Sequence, residues 1–319
     1  MKLPEIKGHV WIGSQPITLD DLEGKVVLAD FWTYSCVNCL RTIPYLKEWH
    51  EKYKNDGLVI IGIHTPEFEF EQNPQNVKDA ILRLGITWPV LLDNDYENWE
   101  AFDNKFWPAK YLTDTKGNIV YTHFGEGGYE ETESKIRELL GLSFEQTEEK
   151  DHKHGGVCSV ATGETYCGYM RGHIANELGY GEDTEEEYKE NPEAKSSFAE
   201  AMADREGKIN LNGKFFVTHE YAESREDGAT LSLPLRGTEV NLVLAPAKND
   251  AEVEILWNGK PLSKELYGKD ISPEGKITVN RSDMYNLIRS EKPIEGTITL
   301  RSEKGNFRAY AFTFSGCSS

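Results

Sequence analysis

Residues 26–45 read VVLADFWTYSCVNCLRTIPY, and this stretch decides the fold of the first half of the chain. It opens as a strand: Val26, Val27, Leu28 and Ala29 form a short apolar run that Phe31 and Trp32 extend. It closes as a helix, with Leu40, Ile43, Leu46 and Trp49 recurring at three- and four-residue spacing. Between the two lies Ser35-Cys36-Val37-Asn38-Cys39, a Cys-x-x-Cys at a strand-to-helix junction. Backbone N–H groups without a helical partner and the positive end of the helix dipole converge there, which favours a thiolate on Cys36. Cys39 lies one turn further in, within reach of a mixed disulfide formed on Cys36. The chemistry of such a pair is dithiol exchange.

Rival readings of the pair exist. A zinc site needs four ligands, and the candidates elsewhere are Cys158, Cys167, His152 and His154, which include no second matching pair. A purely structural bridge across one helical turn closes a very short loop and constrains little. Thr33-x-x-Cys36 matches half of the Pro-x-x-x-Thr-x-x-Cys site of peroxiredoxins, but Ala29 stands where the proline would fall. The neighbours favour exchange. Asp30 lies six residues before Cys36 and Pro44 five after Cys39, the offsets of the buried acid and helix-kinking proline of thioredoxins, which the stretch resembles. The string FWTYSCVNCLRTIPY is more narrowly similar to the thioredoxin-like domain of DipZ-type thiol–disulfide proteins. That resemblance implies a buried Asp30 that helps take the proton from Cys39; read without it, Asp30 is a salt-bridged acid at a strand end.

The remainder of the first 142 residues fits the same architecture. Val10 to Leu22 precedes the core strand as a small hairpin or edge strand, and the active-site helix should run from about Cys36 to Tyr53, stopping before Asn55-Asp56-Gly57. Leu58 to Ile63 is a continuous apolar run, the mark of a parallel strand buried on both faces. Strand, helix and buried strand make a right-handed βαβ unit. His64 reads as a satisfied loop residue, ahead of a helix near Asn76 to Leu84 where TlpA-type relatives carry an extra helix. Trp88 to Asp93 reads as the next strand, then a short helix through Trp99 and Phe102. Lys105-Phe106-Trp107-Pro108-Ala109-Lys110-Tyr111-Leu112 follows. The resemblance makes Pro108 a cis-proline facing the cysteines and places Trp107, Pro108, Tyr34 and Ser35 at the substrate. Taken alone, Trp107 is equally a core residue. Asp114 to Asn118 forms a hairpin turn, and a last helix from Glu130 to Leu140 ends at Gly141.

At 319 residues the chain holds two cores, and its character changes after the first. Residues 143–206 read as an acidic linker and crossover segment, with weak helical patterning around Ser197 to Ala203. Residues 207–319 show about eight short alternating strands separated by turns, the pattern of a jelly-roll-like β-sandwich. They resemble the carbohydrate-binding-module-like domain of the same family, in which Trp257 and Tyr267 are either sugar-stacking rings or core and rim. Cys158 and Cys167, on either side of a loop flexible at Gly163, are a possible second disulfide; two unrelated thiols are the alternative.

The expectation is an α/β thioredoxin fold followed by an all-β domain, acting as a thiol–disulfide oxidoreductase. Cys36 attacks, Cys39 resolves and Asp30 assists, without cofactor or metal. Its partners are protein disulfide substrates and an upstream thiol reductant, with glycan binding by the β-domain left open. The other function classes are a thiol peroxidase and a non-catalytic adaptor. A net charge of −19 argues against nucleic acid and anionic membranes. No window approaches membrane-spanning length, and residues 1–7 lack the apolar region of a signal peptide. A complete chain is expected in the cytoplasm, and one cut from a longer precursor is expected to be secreted or membrane-tethered.

Overall fold

The computed structural model describes residues 1–142, 161–191 and 207–315. The chain divides into two compact units, residues 1–150 and 151–319. The first contains β1 (Trp11–Ile12), β2 (Val26–Trp32), α1 (Val37–Tyr53), β3 (Leu58–His64), α2 (Pro74–Leu84), β4 (Val90–Leu92), α3 (Glu97–Ala101), β5 (Ala109–Thr113), β6 (Ile119–Phe124) and α4 (Tyr129–Leu139). Its sheet runs β1-β4-β3-β2-β5-β6. Strands β2, β3 and β4 are parallel, while β1, β5 and β6 join antiparallel. This is the expected thioredoxin fold, with β1 as the edge strand foreseen before the core.

Strand β2 is buried at every position, because it lies at the centre of the sheet with a core packed on each face. Its side chains alternate between two cores. Val26, Leu28 and Trp32 pack under α1 with Cys39, Ile43, Leu46 and Trp49. Val27, Ala29 and Phe31 face the opposite core, with Phe102 and Tyr111. By that period of two, Asp30 belongs to the α1 face. The same parity holds on β5, where Leu112 joins the α1 core and Ala109 and Tyr111 the other. Lys110 therefore also points under α1, and the antiparallel register sets it directly across from Asp30. The third residue in this row is Gly62 of β3, partner of Asp30 on the other side. A Cβ there would stand 3.0 Å from Trp32 Nε1, 3.2 Å from Val90 and 3.3 Å from Trp88 Nε1, so any larger residue would press on both tryptophans.

The second unit holds β7 (Thr165–Tyr166), β8 (Glu185–Tyr188), β9 (Asn210–Val217), β10 (Ala222–Ser224), β11 (Thr230–Pro246), β12 (Ala251–Trp257), β13 (Lys260–Pro261), β14 (Lys276–Val279), β15 (Asp283–Lys304) and β16 (Phe307–Ser315). All ten belong to one antiparallel network around a single core. The all-β class is as expected, but two details differ. Segments 230–235 and 239–244, read as separate strands, are one strand, β11; likewise 285–288 and 297–300 both lie in β15. Gly237 marks a bulge instead of a turn. There the core-facing positions change from Leu231, Leu233 and Leu235 to Val240, Leu242 and Leu244, a slip in parity that keeps one continuous core. A Cβ at Gly237 would lie 2.9 Å from the Ser315 carbonyl oxygen of β16. The β-domain also begins before residue 207. Strand β7 pairs with β16 and β8 with β9, so part of the expected linker is sheet; its polar residues conceal edge strands that need burial on one face only. The helical patterning expected near 197–203 lies outside the described residues.

Trp49, 1% exposed at the centre of the α1 face, should carry much of the helix docking. Trp49→Ala is expected to destabilise the first unit by about 3–5 kcal/mol in urea unfolding. A change below about 0.5 kcal/mol, the range of surface substitutions, contradicts this packing.

Candidate active site

Strand β2 ends at Trp32, and four residues later Cys36 forms the N-cap of α1, with φ −80° and ψ 118°. The first helical bond already closes on it, Leu40 N–H donating to the Cys36 carbonyl at 3.0 Å. Cys36 is half-buried, whereas Cys39 is 1% exposed and turned into the α1 core. Both are free thiols, and Cys39 shares a hydrogen bond with Cys36. Burial first, then that bond and the negative charges of Cys36 and Asp30, push the Cys39 thiol well above its ordinary range. Cys39 thus needs a proton acceptor before it can attack.

Asp30 and Lys110 lie under it, 2% and 0% exposed. Among the described residues, neither Asp30 Oδ1 nor Lys110 Nζ makes a hydrogen bond. Burial raises the Asp30 carboxyl to about 7, with the Lys110 charge opposing. Burial likewise lowers the Lys110 amine, against the pull of Asp30, Cys39 and Glu126. The Nζ stands 5.8 Å from the centre of the Tyr129 ring. A buried acid and a buried base, each easily discharged, therefore face the buried thiol.

The turn Thr33-Tyr34-Ser35 is directed inward. Glu71, fully buried beyond β3, accepts from the Thr33 hydroxyl, from the Ser35 hydroxyl at 2.6 Å and from the Ser35 N–H at 3.3 Å. Its other oxygen accepts from Glu67 N–H at 2.6 Å and Phe68 N–H at 3.0 Å. Burial raises the Glu71 carboxyl to about 7, while the Ser35, Thr33 and Phe68 donors pull it down. His64 Nε2 lies 3.4 Å from Thr33 Oγ1, and the ring stacks on Tyr34 at 5.7 Å. Burial lowers the His64 imidazole to about 3, so this histidine is neutral.

The Trp107–Pro108 peptide is cis. Pro108 is buried; Trp107 is half-buried, its Nε1 donating to the Thr65 carbonyl at 3.0 Å and its ring 4.2 Å from Trp99. The exposed aromatics here are Phe106 and Phe124, 51% and 48% exposed with ring centres 5.3 Å apart.

Comparison with known proteins agrees with this geometry. A family model named Redoxin matches residues 1–140, and one described as a thioredoxin like C-terminal domain matches residues 162–315. Protein DipZ of Mycobacterium tuberculosis (strain CDC 1551 / Oshkosh) is 32% identical over 98% of this chain. Thiol-disulfide oxidoreductase YkuV of Bacillus subtilis (strain 168) is 30% identical over 140 residues, 43% of this chain and 93% of that protein. The chain belongs to the thioredoxin-like thiol–disulfide oxidoreductases. It is similar to DipZ along nearly its whole length, and it spans 42% of the length of the DipZ protein it matches.

Of the residues singled out from sequence, Cys36, Cys39 and Asp30 fall at or beneath one helix end, and Pro108 directly precedes β5, whose Ala109 pairs with Phe31 of β2. Pro44 sits on the exposed side of α1, inside the helix. Tyr34 and Ser35, expected at the substrate, are 1% and 2% exposed. Their side chains pack on His64 and bond Glu71, which corrects that expectation. His64 is the last residue of β3 and fully buried, so it is no loop residue. Cys167 is a buried free thiol in the β-domain core, and Cys158 lies outside the described residues. Lys110, Glu71 and Phe106 were missed. A lysine inside the apolar run Ala109–Leu112 was the available sign of the first.

Folded protein keeps a proton on Asp30 up to about pH 7, where the unfolded chain has lost it near pH 4. The associated stability is complete at acid pH and falls as the pH rises through that window. Glu71 acts with the same sign. Asp30→Asn should make unfolding free energy fall less steeply between about pH 4 and pH 7, by on the order of 1 kcal/mol or more across the window. An unchanged slope contradicts the assignment.

Proposed function

We propose that Cys36 and Cys39 form the redox couple through which this oxidoreductase reduces or forms disulfides in protein substrates. The observation that carries the reading is the division between a half-exposed Cys36 at a helix N-terminus and a buried Cys39 above Asp30. In the reductive direction the Cys36 thiolate attacks one sulfur of a substrate disulfide, and the other leaves as a thiolate. Asp30 takes the proton of Cys39, whose sulfur then attacks Cys36 Sγ. The Cys36–Cys39 bond forms and the second substrate thiolate departs. Two electrons pass to the substrate, and an upstream thiol reductant restores the dithiol. Lys110, across the sheet from Asp30, balances the charge left on either partner.

Phe106 and Phe124 are the apolar surface available to a protein substrate beside Pro108. The peroxidase reading finds no support in Thr33, whose hydroxyl is buried and donated to Glu71, so it is not offered to a peroxide. Trp257 and Tyr267 are partly buried and pack against the β-domain core.

Insulin reduction in the presence of dithiothreitol tests the couple. Cys36→Ser should abolish the protein-dependent rate, and Cys39→Ser should retain substrate as a mixed disulfide visible on a non-reducing gel. Full activity in Cys36→Ser, or peroxide consumption in place of insulin reduction, overturns the reading. Phe106→Ala should lower the rate with insulin about tenfold, of the order of one lost hot-spot contact, and leave reduction of a small aromatic disulfide unchanged. Equal losses with both contradict the docking role.

A further inference from the structure

Glu71 plays no part in the steps above, yet both of its carboxyl oxygens are held by protein donors. Five hydrogen bonds end on it, three from the turn that delivers Cys36 and two from the Glu67–Phe68 backbone. The second pair is enough to cap the short helical turn Glu69–Gln72. The first three serve no cap. They come from the residue next to Cys36 and from Thr33, whose own backbone N–H bonds Cys39.

We propose that Glu71 is a positioning residue for the Cys36–Cys39 couple: it holds the Thr33–Ser35 turn and makes the couple more reducing. Two physical effects act together. The Ser35 hydroxyl and N–H are N-terminal donors one residue from Cys36, and Glu71 turns them away from the sulfur. When ionised, its buried carboxylate also lies against Ser35, the residue that precedes Cys36. Both disfavour a thiolate there and so disfavour the reduced form, the reverse of what makes a strongly oxidising couple. Thr33 carries the link inward, since its hydroxyl donates to Glu71 and lies 3.4 Å from Nε2 of the neutral His64 ring. The inference rests on the dithiol reading of the two cysteines.

The test is equilibration of the full chain with glutathione, in which the oxidised protein and two reduced glutathiones give the protein dithiol and one glutathione disulfide. Glu71→Gln keeps the size but replaces one acceptor oxygen with a donor amide, so the turn and the Glu67–Phe68 cap cannot both be satisfied. Its equilibrium constant should move about tenfold toward the dithiol, which is about 30 mV for a two-electron couple. Thr33→Val, isosteric and remote from the cap, should move it the same way by a smaller factor, and it carries the test alone if Glu71→Gln does not fold. A change that loosens oxidised and reduced forms equally leaves this constant in place. Constants within twofold of the unmodified chain in the folded variants, or a shift toward the disulfide, overturn the proposal. An unmodified chain whose Cys36 and Cys39 do not exchange with glutathione at all overturns the dithiol reading beneath it.

Discussion

Strand β2 is buried along its whole length, and one of the side chains it buries is a carboxylate. An isolated buried charge of that kind is costly, and the fold lowers the cost by setting Lys110 of β5 across from it. The neighbouring strand supplies Gly62 at the same level, which makes room for Trp32 and Trp88 around the pair. Helix α1 then closes over the row with Cys39. The same desolvation pushes the acid and the thiol toward holding a proton and the amine toward losing one. Proton movement among them therefore costs less than it would from any one group to water. The outer cysteine differs from the inner one only in place: it lies at the helix end where the chain reaches solvent.

Much of this was legible from one stretch. The run Val26–Trp32, the helical spacing after Cys39 and the offsets of Asp30 and Pro44 give strand, junction, helix and buried acid, and the structure has all four. What was not legible depends on contacts between distant segments. Lys110 is 80 residues from Asp30 in number, and only the β2–β5 register brings them together. Glu71 lies in the alternating run Glu67-Phe68-Glu69-Phe70-Glu71, where nothing distinguishes it from its half-buried and exposed acidic neighbours Glu67 and Glu69. The resemblance placed Tyr34 and Ser35 at the substrate, yet Glu71 and His64 turn their side chains inward.

The β-domain illustrates a different limit. Alternation located its apolar positions correctly, but it cannot distinguish a turn from a bulge when glycine interrupts the pattern. At Gly237 the parity slips and the strand continues, so two apparent strands are one. Strand β8, with Glu185, Glu186 and Glu187 exposed and only Tyr188 buried, shows how little apolar content an edge strand needs once a core lies beside it.

The central claim is that burial, not sequence order, separates the roles of the two cysteines. Timed alkylation of the fully reduced, folded chain with iodoacetamide at neutral pH, followed by peptide mapping, measures this directly. Cys36 should be labelled at least about tenfold faster than Cys39, since only the half-exposed sulfur is accessible to the reagent. Equal labelling, or faster labelling of Cys39, would contradict the account.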